Sequence, residues 1–185
     1  PTTCSFVSPF SVGGAVTIVE KIIGQKIIAD IRDSRGTIII GVPLLFDKLK
    51  KGIGGKLEQL PPVKRSLIKL MRSISHFGMK MNLPLGRGLF KGLREKAGLN
   101  SLRLLVSGGG PLAHSTAQFF EELGFEIVQG YGMSENGPLI TTNTEKQCDN
   151  RSAGLPVMNT DMGIAPNDSS GIGEIQVTSP SLMLG

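Results

Sequence analysis

Residues 101–137 read SLRLLVSGGGPLAHSTAQFFEELGFEIVQGYGMSENG, and their pattern decides the fold. The apolar run Leu102 to Val106 predicts a buried strand, and Ser107-Gly-Gly-Gly110 predicts a tight turn. Pro111 suits the first position of a helix that runs to Leu123 and buries Leu112, Phe119, Phe120 and Leu123. Phe125 to Val128 then returns as a second strand. Strand, helix and strand in so few residues form one right-handed crossover between parallel neighbours.

The same alternation extends upstream. Ala15 to Val19 reads as a buried strand, and Gln25 to Ser34 as a helix with Ile27, Ile28 and Ile31 on one face. Thr37 to Ile40 reads as a further strand. Pro43 opens a helix whose stripe is Leu44, Leu45, Phe46 and Leu49. Gly52 to Leu60 reads as a glycine-containing connection. Pro61-Pro62 precedes a helix from Val63 to Phe77 with apolar positions Leu67, Leu70, Met71 and Ile74. Gly78 to Gly88 reads as loop, and Leu89 to Lys96 as a short helix.

Downstream of Gly137 the pattern shortens to strand-like stretches, Leu139 to Thr142 and Gly173 to Thr178. The predicted class is α/β: a mostly parallel sheet with flanking helices, running into a small β-subdomain. The expected division is residues 1–137 for the α/β part and 138–185 for the start of the β-rich part.

The chain has 185 residues, 39% of them hydrophobic, which is enough for a real core. No apolar run reaches the roughly 18 to 20 residues of a membrane-spanning helix. Cys4 and Cys148 lack companions at metal-ligand spacing, so reduced thiols in a cytoplasmic protein are expected. The opening at Pro1 and the stop at Gly185, just after a strand-like run, read as the ends of an internal piece.

Charge is segregated. Residues 61–103 carry ten Lys or Arg against one acid, Glu95, while the whole chain is only +5. A solvated helical face explains this; the sharper reading is contact with an anionic membrane surface or acyl-CoA phosphates. Nucleic acid is not an expected partner, because only Phe77 and Phe90 stand among these charges to stack on bases.

Two stretches can carry chemistry. Ser107-Gly108-Gly109-Gly110-Pro111 exposes backbone N–H groups between a strand and a helix, where a nucleotide can approach. Steric need at a tight turn gives the same glycines. Gln129-Gly130-Tyr131-Gly132-Met133-Ser134-Glu135 lies at the carboxyl end of the next strand, where ligands collect in open α/β sheets. It joins an aromatic ring, a hydroxyl donor and a carboxylate able to serve Mg²⁺. A glycine-rich turn with an exposed acid is the plainer reading. His76 and His114 have no acid or nucleophile at motif spacing and read as surface or helix-face residues.

Taken in order, Ile39-Ile-Gly-Val-Pro43, Val106-Ser-Gly-Gly-Gly-Pro-Leu112, Gln129-Gly-Tyr-Gly-Met-Ser-Glu135, Ala153-Gly-Leu-Pro156 and Gly173-Glu-Ile-Gln-Val177 closely resemble the consecutive motifs of AMP-binding, adenylate-forming enzymes. The basic helical insertion before Ser107 resembles the long-chain fatty acyl-CoA synthetase branch.

The resemblance implies an acid–thiol ligase that uses ATP and Mg²⁺ with CoA as co-substrate and a fatty acid as the acid. It places Gly109, Gly110 and Pro111 on one face of the adenine and Tyr131 on the other, within a nucleotide-contacting stretch from Gln129, Gly130, Gly132 and Met133 to Ser134. Ser134 is implied at the α-phosphate and Glu135 at Mg²⁺, the two catalytic positions. Val42, Gly108 and Gly130 are implied at the acyl pocket. Departures are Gly110 where alanine is usual, Ser134 for threonine, and Met158-Asn159 for Pro-Gly. The phosphate loop, ribose-binding Asp, hinge and catalytic lysine of such enzymes are expected beyond Pro1 and Gly185, so this piece alone is expected to be inactive. Adenylation for transfer to a carrier protein, or a catalytically silent nucleotide-binding module, are the alternatives.

Overall fold

The computed structural model describes residues 3–19, 23–81, 83–144, 149–166 and 172–184. Cys148 and the side chain of Cys4 lie outside the described residues. Contacts divide the chain into two units, one of residues 17–128 and one of residues 1–16 with 129–185.

In the smaller-numbered segment of the second of these units, a π-helical turn Thr3–Val7 runs into a short helix α1 (Ser8–Ser11). The 17–128 unit begins its regular structure with α2 (Gly24–Ser34), β1 (Ile38–Gly41) and α3 (Pro43–Glu58). It continues through α4 (Pro62–Lys80), α5 (Leu85–Leu89), α6 (Lys91–Ala97), β2 (Leu104–Ser107) and α7 (His114–Glu122). Strand β3 (Glu126–Gly132) starts in this unit and ends in the other. β1 and β2 pair in parallel, Ile38 opposite Leu104 through Gly41 opposite Ser107, and β2 neighbours β3. This is the α/β arrangement with flanking helices that the strand–helix–strand pattern predicts.

The core of this unit forms where the apolar faces of α2, α3 and α7 meet the sheet. Ile27, Ile31, Phe46, Leu49, Leu105, Phe119, Phe120 and Ile127 are buried together. Ring contacts are edge-on: Phe120 lies 6.2 Å from Phe46, 5.4 Å from Phe119 and 6.2 Å from Phe125. Such pairs add about 0.5–1.5 kcal/mol beyond area burial. Arg94 is buried beside them, donating to the carbonyls of Gly124 at 2.8 Å and Leu102 at 2.6 Å. Its guanidinium also sits 4.3 Å from the Phe125 ring centroid. Burial, and after it the neighbouring Arg87, lowers the Arg94 pKa.

In the other unit β3 neighbours β4 (Leu139–Thr142) and β4 neighbours β5 (Leu155–Pro156), both pairs antiparallel. A separate hairpin joins β6 (Asp161–Pro166) to β7 (Gly173–Thr178), with Asp161 opposite Thr178. Gly154 explains the Ala-Gly-Leu-Pro stretch. Its φ is +91°, and a Cβ there would run into the backbone of Thr142, so β5 can reach β4 only with glycine at this point.

Four sequence expectations are corrected. Residues 15–19 form no strand, and Ile18 is exposed: an apolar run becomes a strand only where a neighbour takes up its backbone groups. Residues 52–58 are helix, not connection, because Phe46, Leu49, Ile53 and Leu57 continue one face past Gly52, Gly54 and Gly55. Helix α4 extends to Lys80 and a further helix covers Leu85–Leu89, where the sequence pattern suggests loop. The face of α4 that meets the core is Ile68, Met71, Ser75 and Gly78, whereas Leu67, Leu70 and Ile74 are exposed. Apolar periodicity finds that helix but not which of its faces is inward.

The Met158-Asn159 departure does not break its turn. Asn159 has φ 60°, and the Thr160 N–H donates to the Val157 carbonyl at 3.1 Å. Asparagine is among the few side-chain-bearing residues that visit this region readily.

Two substitutions test these local accounts by urea unfolding. Asn159→Ala is expected to cost about 1 kcal/mol or more and Asn159→Gly almost nothing; equal stability of the two would refute the turn assignment. Gly54 lies within α3, and a Cβ added there would meet nothing within 4 Å. Gly54→Ala is therefore expected to stabilise by about 0.5–1 kcal/mol; a loss of stability would argue against helix at that position.

Candidate nucleotide site

The glycine turn after β2 belongs to the 17–128 unit. The Gly108 N–H donates to the Gly41 carbonyl at 3.1 Å, continuing the β1–β2 ladder one step beyond the strands. This brings the start of the turn beside Val42 and Pro43, at the beginning of α3. Gly109 has φ +77°, which only glycine adopts without strain, and its nearest neighbour is Val42, whose Cγ1 would lie 3.8 Å from an added Cβ. A Cβ on Gly110 would meet only the Pro43 ring, at 3.7 Å. Alanine would fit there, so the departure at this position removes a contact without creating a clash. Gly109, Gly110 and Pro111 are exposed, and Val42 is 47% exposed. Ser107 is the inward residue of this stretch, with its Oγ buried and without a hydrogen-bond partner. The arrangement gives an open, rigid backbone surface against which a flat ring can rest.

The tyrosine stretch belongs to the other unit. Gln129, Gly130, Tyr131 and Gly132 are the last residues of β3 itself. Gln129 is committed to the protein: its Nε2 donates to the Asn150 carbonyl at 3.0 Å, and its own carbonyl accepts from the Asn143 N–H at 2.8 Å. Tyr131 pairs with Thr141 on β4 and is half-buried. The register shifts between Tyr131 and Gly132, and a Cβ on Gly132 would collide with the Pro138 carbonyl. The glycine after the tyrosine is therefore needed for the strand to bulge past Pro138, which re-aims the chain leaving β3.

Beyond Met133 a single 3₁₀ turn (Ser134–Asn136) carries Ser134 and Glu135, both exposed. Its anchor is Asn136, a residue that sequence reasoning passes over. Asn136 is 1% exposed; its Oδ1 accepts from Ser179 Oγ at 2.5 Å and its carbonyl from Ser181 Oγ at 3.0 Å. The Glu135 carbonyl accepts from the Met183 N–H at 2.8 Å. The segment after β7 thus holds the turn from behind while its hydroxyl and carboxylate face outward. The only local signal is an amide followed by glycine, which also marks any ordinary turn.

Among the described residues no group of three or more His, Cys, Asp or Glu comes together as a metal site. One exposed carboxylate suits Mg²⁺, which keeps several waters and is usually held by one or two carboxylates plus substrate phosphates. Glu135 is an exposed carboxylate of the turn.

His76 is the half-exposed helix-face residue that the sequence suggests, with a partner from another helix. Its Nδ1 lies 3.6 Å from Glu122 and 3.3 Å from the Gln118 amide, and Glu122 also accepts from Arg72 at 2.7 Å. The acid comes from α7, across the packing of two helices, where spacing along the sequence could not show it.

A sequence profile described as AMP-binding enzyme matches residues 2–185. Long-chain-fatty-acid–CoA ligase 2 of Schizosaccharomyces pombe is 26% identical over 170 residues, covering 84% of this chain and 24% of that protein. Long-chain-fatty-acid–CoA ligase ACSBG2 of Gallus gallus is 27% identical over 189 residues, covering 96% of this chain and 25% of that protein. The crystal structure of a long-chain-fatty-acid-CoA ligase from Archaeoglobus fulgidus superposes with a TM-score of 0.66 at 15% identity, covering 96% of this chain and 31% of that one, a likeness of fold. The chain thus spans about a quarter of the length of the curated relatives it matches. With the profile matched from end to end and both motif turns in place, the chain belongs to the AMP-binding enzyme family.

Proposed function

We propose that this chain is part of an ATP-dependent fatty acid–CoA ligase, in which a fatty acid carboxylate displaces pyrophosphate from the α-phosphate of ATP and the CoA thiol then displaces AMP from the acyl adenylate. Its membership of the AMP-binding family and the names of the relatives that match it support this reading. The observation that carries it is local: an aromatic ring at the end of β3 and a hydroxyl and a carboxylate on the following turn, anchored by buried Asn136, stand within five residues.

In this reading Gly109, Gly110, Pro111 and Tyr131 contact the adenine. Backbone groups of Gln129, Gly130, Gly132 and Met133 shape the approach, since the Gln129 side chain is already engaged. Ser134 donates to the α-phosphate, and Glu135 holds Mg²⁺ through an oxygen or a bound water. Val42, Gly108 and Gly130 border the acyl chain. Mg²⁺ supplies charge neutralisation as negative charge builds on phosphorus. The residues from 138 onward open a β-rich subdomain. Transfer to CoA is preferred to transfer to a carrier protein because the matching relatives are named as CoA ligases.

Two mutants test the roles in the protein carrying this sequence. Tyr131→Ala is expected to weaken ATP binding by about 1–3 kcal/mol, the scale of base–aromatic stacking, and Tyr131→Phe to leave it nearly unchanged. If Tyr131 only fills its turn, melting temperature falls while ATP affinity is retained, which would remove it from the site. Glu135→Ala is expected to slow ATP–pyrophosphate exchange about ten-fold or more at moderate Mg²⁺. An unchanged exchange rate would dismiss Glu135 as a metal carboxylate.

A further inference from the structure

Helix α4 presents two apolar faces, and only one of them has a use in the fold. Ile68, Met71, Ser75 and Gly78 turn inward, with Ile68 and Met71 packed on the core. Val63, Leu67, Leu70, Ile74, Phe77 and Met81 are all exposed, from 42% for Ile74 to 81% for Val63. At about 100° per residue these six fall within roughly 80° of arc, a continuous stripe along the helix. Scattered exposed apolar residues are ordinary, but an unbroken stripe of six along one helix marks a contact surface.

The charges beside the stripe say what it contacts. Lys64, Lys69 and Lys80 are exposed on its flanks, Arg65 is exposed on the far side of the helix, and residues 61–94 contain no Asp or Glu. Arg72 is the exception among the helix's cations, being paired with buried Glu122 at 2.6 Å. The stripe has the alternating four-and-three spacing of a coiled-coil seam, so a second copy of the helix is the obvious rival occupant. Two such helices would bring only cations together along their flanks, which opposes that pairing. An apolar stripe flanked by cations matches instead a surface that is hydrocarbon beneath and anionic above.

We propose that α4 is an interfacial helix that lays Val63, Leu67, Leu70, Ile74, Phe77 and Met81 into the outer layer of an anionic lipid bilayer, with Lys64, Lys69 and Lys80 against its headgroups. No helix among the described residues is long and apolar enough to cross a membrane, so the contact is peripheral. This inference stands apart from the ligase reading, because it uses none of the nucleotide-site residues and its test needs no turnover.

The test is co-sedimentation of the protein carrying this sequence with vesicles of phosphatidylcholine alone or of equal parts phosphatidylcholine and phosphatidylglycerol, in about 0.1 M salt. Binding is expected at least about ten-fold tighter to the anionic vesicles and weaker as salt rises. The double variants Leu70→Gln/Phe77→Gln and Lys64→Glu/Lys69→Glu are each expected to lose about ten-fold or more in vesicle affinity with an unchanged melting temperature. Equal binding to both vesicle types, or variants that bind like the parent, would overturn the proposal. So would a fall of several degrees in melting temperature for the Gln variant, which would show the stripe packed inside the protein. A concentration-dependent dimer that this variant abolishes would assign the stripe to a second copy instead.

Discussion

The ring of Phe120 touches three other rings edge-on, and those three come from different parts of the 17–128 unit: Phe46 from α3, Phe119 beside it on α7, and Phe125 at the entry to β3. Helix α7 can cross back over the sheet only in the position that these contacts allow. Since α7 links β2 to β3, the same packing fixes where the glycine turn after β2 ends and where β3 begins. Truncating such a buried aromatic removes about 3–5 kcal/mol, a large part of a domain's net stability. The placement of the glycine turn and of the entry to β3 therefore depends on one aromatic cluster within the 17–128 unit.

Polar contacts reinforce this arrangement without dominating it. Thr116 on α7 donates to Asp47 at 2.7 Å, while Lys50 donates to the Ser115 carbonyl at 2.9 Å, tying α7 to α3. On the opposite side Glu122 accepts from Arg72 of α4 and from Gln118, and Arg72 lies 5.1 Å from the Phe119 ring centroid. A largely buried ion pair of this kind recovers much of its Coulombic attraction only after desolvation has been offset, so its main effect is to fix the helix's rotation. That rotation is what turns Ile68 and Met71 inward and leaves Leu67, Leu70 and Ile74 facing out.

The difference between what the sequence discloses and what it withholds follows from the range of the interactions. Strands β2 and β3, helix α7 and the two glycine motifs are legible because each rests on local pattern: an apolar run, a helical stripe, glycines at a turn; the start of α7 is not, since the helix begins at His114 and not at Pro111. The inward face of α4 is not legible, because it is chosen by Glu122 and by the core, some fifty positions along the chain from Arg72. The helix through Gly52, Gly54 and Gly55 is hidden for a similar reason: tertiary burial of Ile53 and Phe46 outweighs the cost of about 1 kcal/mol per glycine. Asn136 escapes notice because its partners, Ser179 and Ser181, lie beyond two strands and a hairpin. The role of Gly132 is half legible, since the sequence points to glycine beside an aromatic while the structure supplies a packing reason, the Pro138 carbonyl.

The central claim is that the ring of Tyr131, at the end of β3, is an adenine-contacting surface and not a space-filling part of its turn. The most direct measurement is a crystal structure of the protein carrying this sequence with a non-hydrolysable acyl-AMP analogue. The account predicts adenine density stacked on the Tyr131 ring, with the phosphate of the analogue within hydrogen-bond reach of Ser134. Adenine bound elsewhere, with the Tyr131 ring touching protein alone, would contradict it.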